Sequence, residues 1–409
     1  MARHRNIRPK IMNKKKIIRA ATVPMSLNHF CKGMLRELSE KYEVVALSSP
    51  GEELGIVAER EGVRTIAVTM ERHISLVQDG RSLLKMVSVF RKEKPYMVHS
   101  MTPKAGLLCM VAGWLTRVPV RVHTFTGLVW PTSSGLKRKI LMLTDKLTCA
   151  CATHIIPEGE GVKNDLITGK ITQKPLKVLG YGNVMGVDMQ KFSRRPEVMR
   201  IVEEQNLRDT SKFTFLFVGR IVRDKGINEL CEAFMRLHQQ QPETRLWLVG
   251  PYEDGLDPIS DEARQTIDQN DGIMAVGKKS GDELLAYYAA ADCFVFPSYR
   301  EGFPNTVLEA GAMGLPSIVT DINGSREIII EGQNGTIIPS KNAEALYRAM
   351  WKIIYDEKSR EFMADNARRL VGTRFEQGYV RQCLYDFYDE IMEGKLTASD
   401  ELQNINTEL

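Results

Sequence analysis

Glu301 and Glu309 stand eight positions apart in CFVFPSYREGFPNTVLEAGAMGLPSIVTDINGSRE, Cys293 to Glu327. Cys293 to Pro297 reads as a buried strand and Ser298 to Gly302 as a polar turn. Pro304 and Asn305 open a helix that ends near Gly314, because proline suits the first helical turn and glycine the end. A further strand follows at Ser317 to Thr320. The turn therefore lies at the carboxyl end of a strand, where open α/β sheets hold ligands, and the helix behind it directs unpaired N–H groups at the same place. An anion is expected there. Glu301 reaches a ligand at the helix mouth, and Glu309 reaches a more distant part of it. Two carboxylates beside an anion suit a long ligand with phosphates in its middle and hydroxyl-bearing rings at its ends, such as a nucleotide sugar.

FVGRIVRDKG, Phe217 to Gly226, is the second informative stretch. A strand ends at Val218, Gly219 permits close approach, and Arg220 and Lys225 bracket a turn before a helix that starts near Ile227. A fork-shaped donor beside a point charge suits a diphosphate that gains negative charge as its bond to a sugar breaks. The alternative is that Arg220 pairs an acid across the domains; Arg223 and Asp224 read as solvated. No carboxylate cluster has metal-ligand spacing, so neither a metal nor a cofactor is expected. RVHTFTG, Arg121 to Gly127, offers His123 as a hydrogen-bonding group at the cleft. The loop PMSLNH, Pro24 to His29, offers Ser26, Asn28 and His29 to an acceptor. Gly277 and Lys278 follow a strand and are candidates for a base-binding loop. Ser325, in DINGSRE, is placed to cap a helix whose amides would complete a phosphate cradle.

The elements that position these residues alternate along the chain. Ile17 to Val23, Glu43 to Ser48, Val63 to Val68, Tyr96 to Ser100, Val120 to Thr124 and Thr153 to Ile156 read as short strands separated by helical spacing. The pattern restarts with Phe213 to Val218, Arg245 to Val249, Ile273 to Val276 and the two strands above. Alternation of this kind implies parallel sheets covered on both faces. The expectation is an α/β fold of two doubly wound Rossmann-like domains facing a cleft. Residues 1–16 form a basic tail, 17–193 an acceptor-binding domain, 194–374 a nucleotide-sugar-binding domain, 375–393 a last helix and 394–409 a disordered tail.

Glu301 and Glu309, set in EGFPNTVLEA and followed by Gly314 and Pro316, resemble the signature of retaining glycosyltransferases of the GT-B architecture, family 4, the glycosyl transferases group 1. The resemblance covers nearly all of the chain. It implies that Glu301 holds the transferred sugar, Glu309 the ribose, and Arg220 and Lys225 the departing nucleoside diphosphate. His123 would join them in catalysis. Gly219, Lys278, Gly302, Phe303, Pro304, Asn305 and Thr306 would join Glu309 around the donor, and the last helix would cross back onto the first domain. Many members carry a glycine pair in the loop that is Pro24 to His29 here; this chain has none. Overall resemblance to bacterial capsule and O-antigen enzymes implies a UDP-sugar donor, retention and a polyprenyl-diphosphate-linked sugar as acceptor. The alternatives are a nucleotide-sugar epimerase of the same fold and a non-catalytic nucleotide-sugar-binding subunit.

Composition fits two domains: 409 residues exceed one ordinary core, and 43% hydrophobic residues fill two. The net charge of +5 hints at nucleic acid. However, Arg3, Arg5, Arg8, Lys10, Lys14, Lys15, Lys16 and Arg19 all precede the first acid, Glu37, and the remainder carries about −3. The positive charge thus favours a local anionic surface over nucleic acid. No stretch has the roughly 20 apolar residues of a membrane span. The seven scattered cysteines read as reduced thiols. A cytoplasmic protein peripheral to the inner face of the membrane is expected, docked through Ser134 to Lys146. There Leu136, Ile140, Leu143 and Leu147 have core spacing. Leu141 and Met142 would form an apolar tip ringed by Lys137, Arg138, Lys139 and Lys146, with Trp130 beside it.

Overall fold

The computed structural model describes residues 14–71, 75–253, 255 and 257–395. Six strands, β1 Lys16–Ala20, β2 Glu43–Ser48, β3 Arg64–Ala67, β4 Met97–Met101, β5 Val120–Phe125 and β6 His154–Pro157, form one sheet in the order β3-β2-β1-β4-β5-β6. Six more, β7 Phe213–Val218, β8 Thr244–Val249, β9 Ile273–Gly277, β10 Cys293–Phe296, β11 Ser317–Thr320 and β12 Gly335–Ile338, form another in the order β12-β11-β10-β7-β8-β9. Neighbouring strands run parallel, with register pairs such as Ile17 with Val44 and Phe294 with Leu216. Helices cover both faces, so central strands read as unbroken apolar runs: FTFLFV in β7 and CFVF in β10 are buried almost throughout. The fold is therefore two doubly wound Rossmann-like units.

Several local expectations are corrected. β1 ends at Ala20, and Pro24–Phe30 is a helix with its proline in the first turn, so the expected loop from Pro24 to His29 does not exist. β12, missed in the sequence, is only four residues long and follows the turn at Gln333 and Asn334. Ser325 is the first residue of its helix and not its cap; Gly324 occupies that place, and its N–H donates to the Glu327 carboxylate at 3.1 Å. The basic end is only partly a surface feature. Lys16 pairs with Glu93 at 2.9 Å, and Arg19 is buried in the core of the first sheet. Residues 1–13 of the basic tail, and 396–409 of the other tail, lie outside the described residues.

The helix Glu357–Phe375 breaks at Glu376, and Gln377–Met392 returns to the first sheet. Its Leu384, Phe387, Tyr388 and Ile391 join a core with Ile17, Leu27, Leu35 and Val122. Tyr388 accepts a hydrogen bond from the Arg19 guanidinium at 2.9 Å, and its hydroxyl lies 2.6 Å from His99 Nδ1. Salt bridges from Lys41 to Asp389 and Arg381 to Glu37 flank the contact.

The helix Gly135–Cys151 turns the opposite way from the expectation. Leu141 and Met142 pack against the first-sheet core, whereas Leu136, at 72% exposure, Ile140, Leu143, at 66%, and Leu147 face outward. A heptad-like stripe reveals an apolar face, not the direction in which it points. Here the other face, with Thr148 and Cys149, fills the core. Trp130 is likewise buried, with Gly169 against its ring, and is no interfacial aromatic.

Candidate functional site

In the second sheet the strand order reverses between β7 and β10. The loops leaving the carboxyl ends of these two neighbours are the Arg220–Lys225 turn and the Ser298–Gly302 turn, so the crevice that such a reversal creates lies between them. Gly226 sets their spacing. Its φ of +73° lies in the left-handed region, and a Cβ there would overlap the Pro297 carbonyl oxygen. Asp224, expected to be solvated, ties the turns together: its carbonyl accepts from the Tyr299 N–H at 2.8 Å and its carboxylate pairs with Arg300 at 3.2 Å. Arg223 is exposed and pairs with Asp257 at 2.9 Å.

Lys225 Nζ forms an ion pair with Glu301 Oε1, and the Ser298 hydroxyl lies 2.8 Å from the same oxygen. Arg220 pairs with Glu253 at 2.6 Å, an acid on the loop after β8 of its own sheet and not one across the domains. With Gly302, these cations and Glu301 line one wall of a cleft of about 220 Å³ whose other wall includes Thr126, Gly127 and Leu128. It joins a charged wall from one sheet to a largely apolar one from the other.

Glu309, on the helix Asn305–Ala312, accepts a hydrogen bond from the Tyr288 hydroxyl at 3.1 Å, and burial pushes its pKa up to about 7. Pro304 is the N-cap of that helix, and Asn305 Oδ1 accepts from Asn183 at 3.0 Å. Thr306 follows in the first turn, and Phe303 packs edge-on against Phe375. Gly219 directly follows β7.

Other expected residues are not brought to the cleft. His123 is buried in the wall behind it, bonded to Ser100 at 2.9 Å and pressed against Gly106, and burial pushes its pKa down to about 3. The ring is thus a neutral packing group at this position, because β5 turns it toward the helix Pro103–Leu115. Ser26, Asn28 and His29 do not line the cleft, and the Asn28 side chain is engaged by Arg60. Lys278 is exposed beyond β9.

The sequence reading missed Ser298, Glu253, Glu158 and Glu327. Ser298, Glu253 and Glu158 lie a few residues past a strand's carboxyl end, which is the signal that was available. Glu327 joins the two halves. Its carboxylate accepts from the N–H groups of Glu160 at 2.7 Å and Gly161 at 3.1 Å, at the N-terminus of the helix Glu160–Thr168. Asn323 donates to Asp165 at 2.6 Å beside it. In the DINGSRE stretch itself the Gly324 N–H donates to Glu327, and the N–H groups of Ser325, Arg326 and Glu327 donate to the carbonyls of Asn323, Ile322 and Gly324, which corrects the expected phosphate cradle.

The fold is two doubly wound units with an arginine, a lysine and a glutamate at the switch-point crevice of the second. Residues 199–370 match the family described as glycosyl transferases group 1, and residues 28–182 match a glycosyl transferase 4-like domain. Over 389 residues the chain is 32% identical to the capsular polysaccharide biosynthesis glycosyltransferase CapM of Staphylococcus aureus, covering 94% of this chain and 100% of that protein. The chain belongs to the group 1 glycosyl transferases. It is also 27% identical to an Escherichia coli UDP-Gal:alpha-D-GlcNAc-diphosphoundecaprenol alpha-1,3-galactosyltransferase, over 77% of this chain and 81% of that one. The Anabaena protein HepE, solved in complex with UDP, shares the fold with a TM-score of 0.76 at 17% identity, over 92% of this chain and 100% of that chain.

Proposed function

We propose that the protein transfers a hexosyl group, with retention, from a UDP-sugar to a polyprenyl-diphosphate-linked sugar in the assembly of a bacterial surface polysaccharide. The observation that carries this reading is the Lys225–Glu301 ion pair beside Arg220 on one wall of the cleft. In this reading Lys225 and Arg220 are the cations for a diphosphate, and Glu301 beside them is the acceptor for sugar hydroxyls. On donor binding, Lys225 passes from Glu301, and Arg220 from Glu253, to the diphosphate. Glu301 then accepts from the sugar, and the cations stabilise the charge that accumulates as the glycosidic bond breaks. The UDP donor and the lipid-linked acceptor are supported by the name of the E. coli relative, and retention by the resemblance of EGFPNTVLEA to the signature of retaining enzymes.

The test is a screen of UDP- and GDP-sugars with and without an undecaprenyl-diphosphate-linked sugar. Sugar transfer that requires the lipid acceptor is expected. Interconversion of the donor sugar without acceptor would favour an epimerase, and nucleotide binding without turnover a non-catalytic subunit. Two side-chain cations take the place of a metal in this reading, so turnover is expected to survive EDTA. Loss of activity in EDTA with rescue by magnesium would refute it.

Glu309 is proposed to hold the ribose as a carboxylate. With its pKa raised to about 7, its contribution is complete above that pH and lost as pH falls through it. The ratio of wild-type to Glu309→Gln affinity for UDP, measured by calorimetry, is expected to rise about tenfold between pH 6 and 8. A flat ratio would remove Glu309 from the ribose.

We propose further that the exposed stripe Leu136, Ile140, Leu143 and Leu147, with Lys137, Arg138, Lys139 and Lys146 on the same helix, docks the protein on an anionic lipid surface. Trp114 and Leu115 on the packed neighbouring helix add exposed apolar area. No helix among the described residues is long and apolar enough to cross a membrane.

A further inference from the structure

Glu158 is a buried acid to which the proposed transfer gives no task. It directly follows β6 and is 4% exposed. Its N–H donates to the Phe125 carbonyl at 3.0 Å and its carbonyl accepts from the Asn183 N–H at 2.7 Å, so its place is fixed by the backbone. The carboxyl lies across the cleft junction against the bare Cα of Gly302, the residue after Glu301. A Cβ on Gly302 would be 2.8 Å from Glu158 Oε2 and 2.6 Å from the Thr126 carbonyl oxygen. The second-sheet loop is therefore seated directly on the first-sheet acid.

Closure gathers three carboxyl groups, and their partners differ. Glu301 has Lys225 and Ser298, and Glu327 has three N–H donors. Among the described residues no cation or hydrogen-bond donor acts on the Glu158 carboxyl. Burial pushes its pKa well above the usual carboxylate range, and the charged groups that act on it, Glu327 and Glu301, are both acidic and push the same way. The Thr126–Gly127, Gly182–Asn183 and Gly302–Phe303 segments packed around it bring no titratable side chain. The cations of the cleft are committed elsewhere, Lys225 to Glu301, Arg220 to Glu253 and Arg300 to Asp224.

We propose that Glu158 is a proton-operated latch: the cleft closes with this carboxyl protonated and opens with it ionised, so each closure takes up one proton. With the loop withdrawn, the carboxyl meets water and ionises near the ordinary glutamate value of roughly 4.3. Its closed-form pKa is higher. Closure is thus fully favoured below the ordinary value and is lost as pH rises through the closed-form pKa. In that window the closed-to-open ratio falls by about tenfold per pH unit.

X-ray scattering from the ligand-free full chain between pH 5.5 and 9 reads this directly. The wild type is expected to expand as pH rises, and Glu158→Gln, which cannot ionise, to stay compact throughout. Parallel expansion of both proteins, or a wild-type radius independent of pH, would overturn the proposal. Glu158→Met, of similar length and neutral, repeats the test if the glutamine variant does not fold. The second readout rests on the proposed donor site: calorimetry of UDP binding in buffers of different ionisation enthalpy. At a pH where the ligand-free wild type is expanded, the wild type is expected to take up one proton more than Glu158→Gln, a difference from which the opposite contribution of Glu309 cancels. Equal uptake overturns the latch. If neither protein binds UDP, the donor reading fails while the scattering result still decides the latch.

Discussion

Lys225→Ala is expected to lower turnover by at least about a hundredfold, close to 3 kcal/mol of transition-state stabilisation, while affinity for UDP falls much less. The expectation rests on where the charge is when it matters. In the ligand-free protein the lysine is already held by Glu301, so donor binding exchanges one anion for another and gains little. As the bond to the sugar breaks, the diphosphate gains charge that Glu301 does not, and the ammonium group stabilises that state selectively. Arg220→Ala should behave similarly, since its pair with Glu253 is half-exposed and readily exchanged. Single-turnover rates with saturating donor, beside UDP affinity, check both. Near-normal turnover in the two variants would remove these residues from the leaving group.

Replacing Lys137, Arg138 and Lys139 with glutamate is expected to weaken binding to anionic liposomes by at least about a hundredfold. Each basic residue near such a surface contributes about 1 kcal/mol, and reversal adds repulsion. The orientation of the helix Gly135–Cys151 adds a sharper expectation. Leu136→Ser with Leu143→Ser should reduce binding by about tenfold or more without loss of stability, because both side chains face outward. Leu141→Ser with Met142→Ser should instead destabilise the first-sheet core. Cosedimentation and thermal denaturation separate the two. Unchanged sedimentation of both the charge-reversed and the leucine variants would dismiss this helix as the docking surface.

The parallel strands were legible because both their faces are covered, which makes each a short unbroken apolar run; β7 and β11 match their expected limits. The Arg220, Lys225 and Glu301 grouping was legible for a related reason. All three stand just past strand ends, and the alternation of strands and helices already implied a crevice there. What the sequence hid was orientation. The helix Gly135–Cys151 has apolar residues on two faces, so spacing alone does not say which is covered. His123 lies two residues before the end of β5 and faces away from the cleft, a choice made by the packing of Gly106. Glu158 and Glu327 meet only when the halves come together, and no local pattern marks either.

The order of the polypeptide is not the order in which its cores can be completed. Leu384, Phe387, Tyr388 and Ile391 emerge from the ribosome after the whole second sheet, yet they fill a core built on β1 and β5, whereas the second sheet has all its strands by Ile338. A nascent chain that has finished its first half still lacks the side chains that cover Ile17 and Val122 and the hydroxyl that meets Arg19. During synthesis the later half, whose core is complete at Phe375, is therefore able to mature first, and the earlier half waits with an exposed apolar flank until the helix Gln377–Met392 is made. Such a flank is the kind of surface that chaperones hold, and the final helix is what releases it.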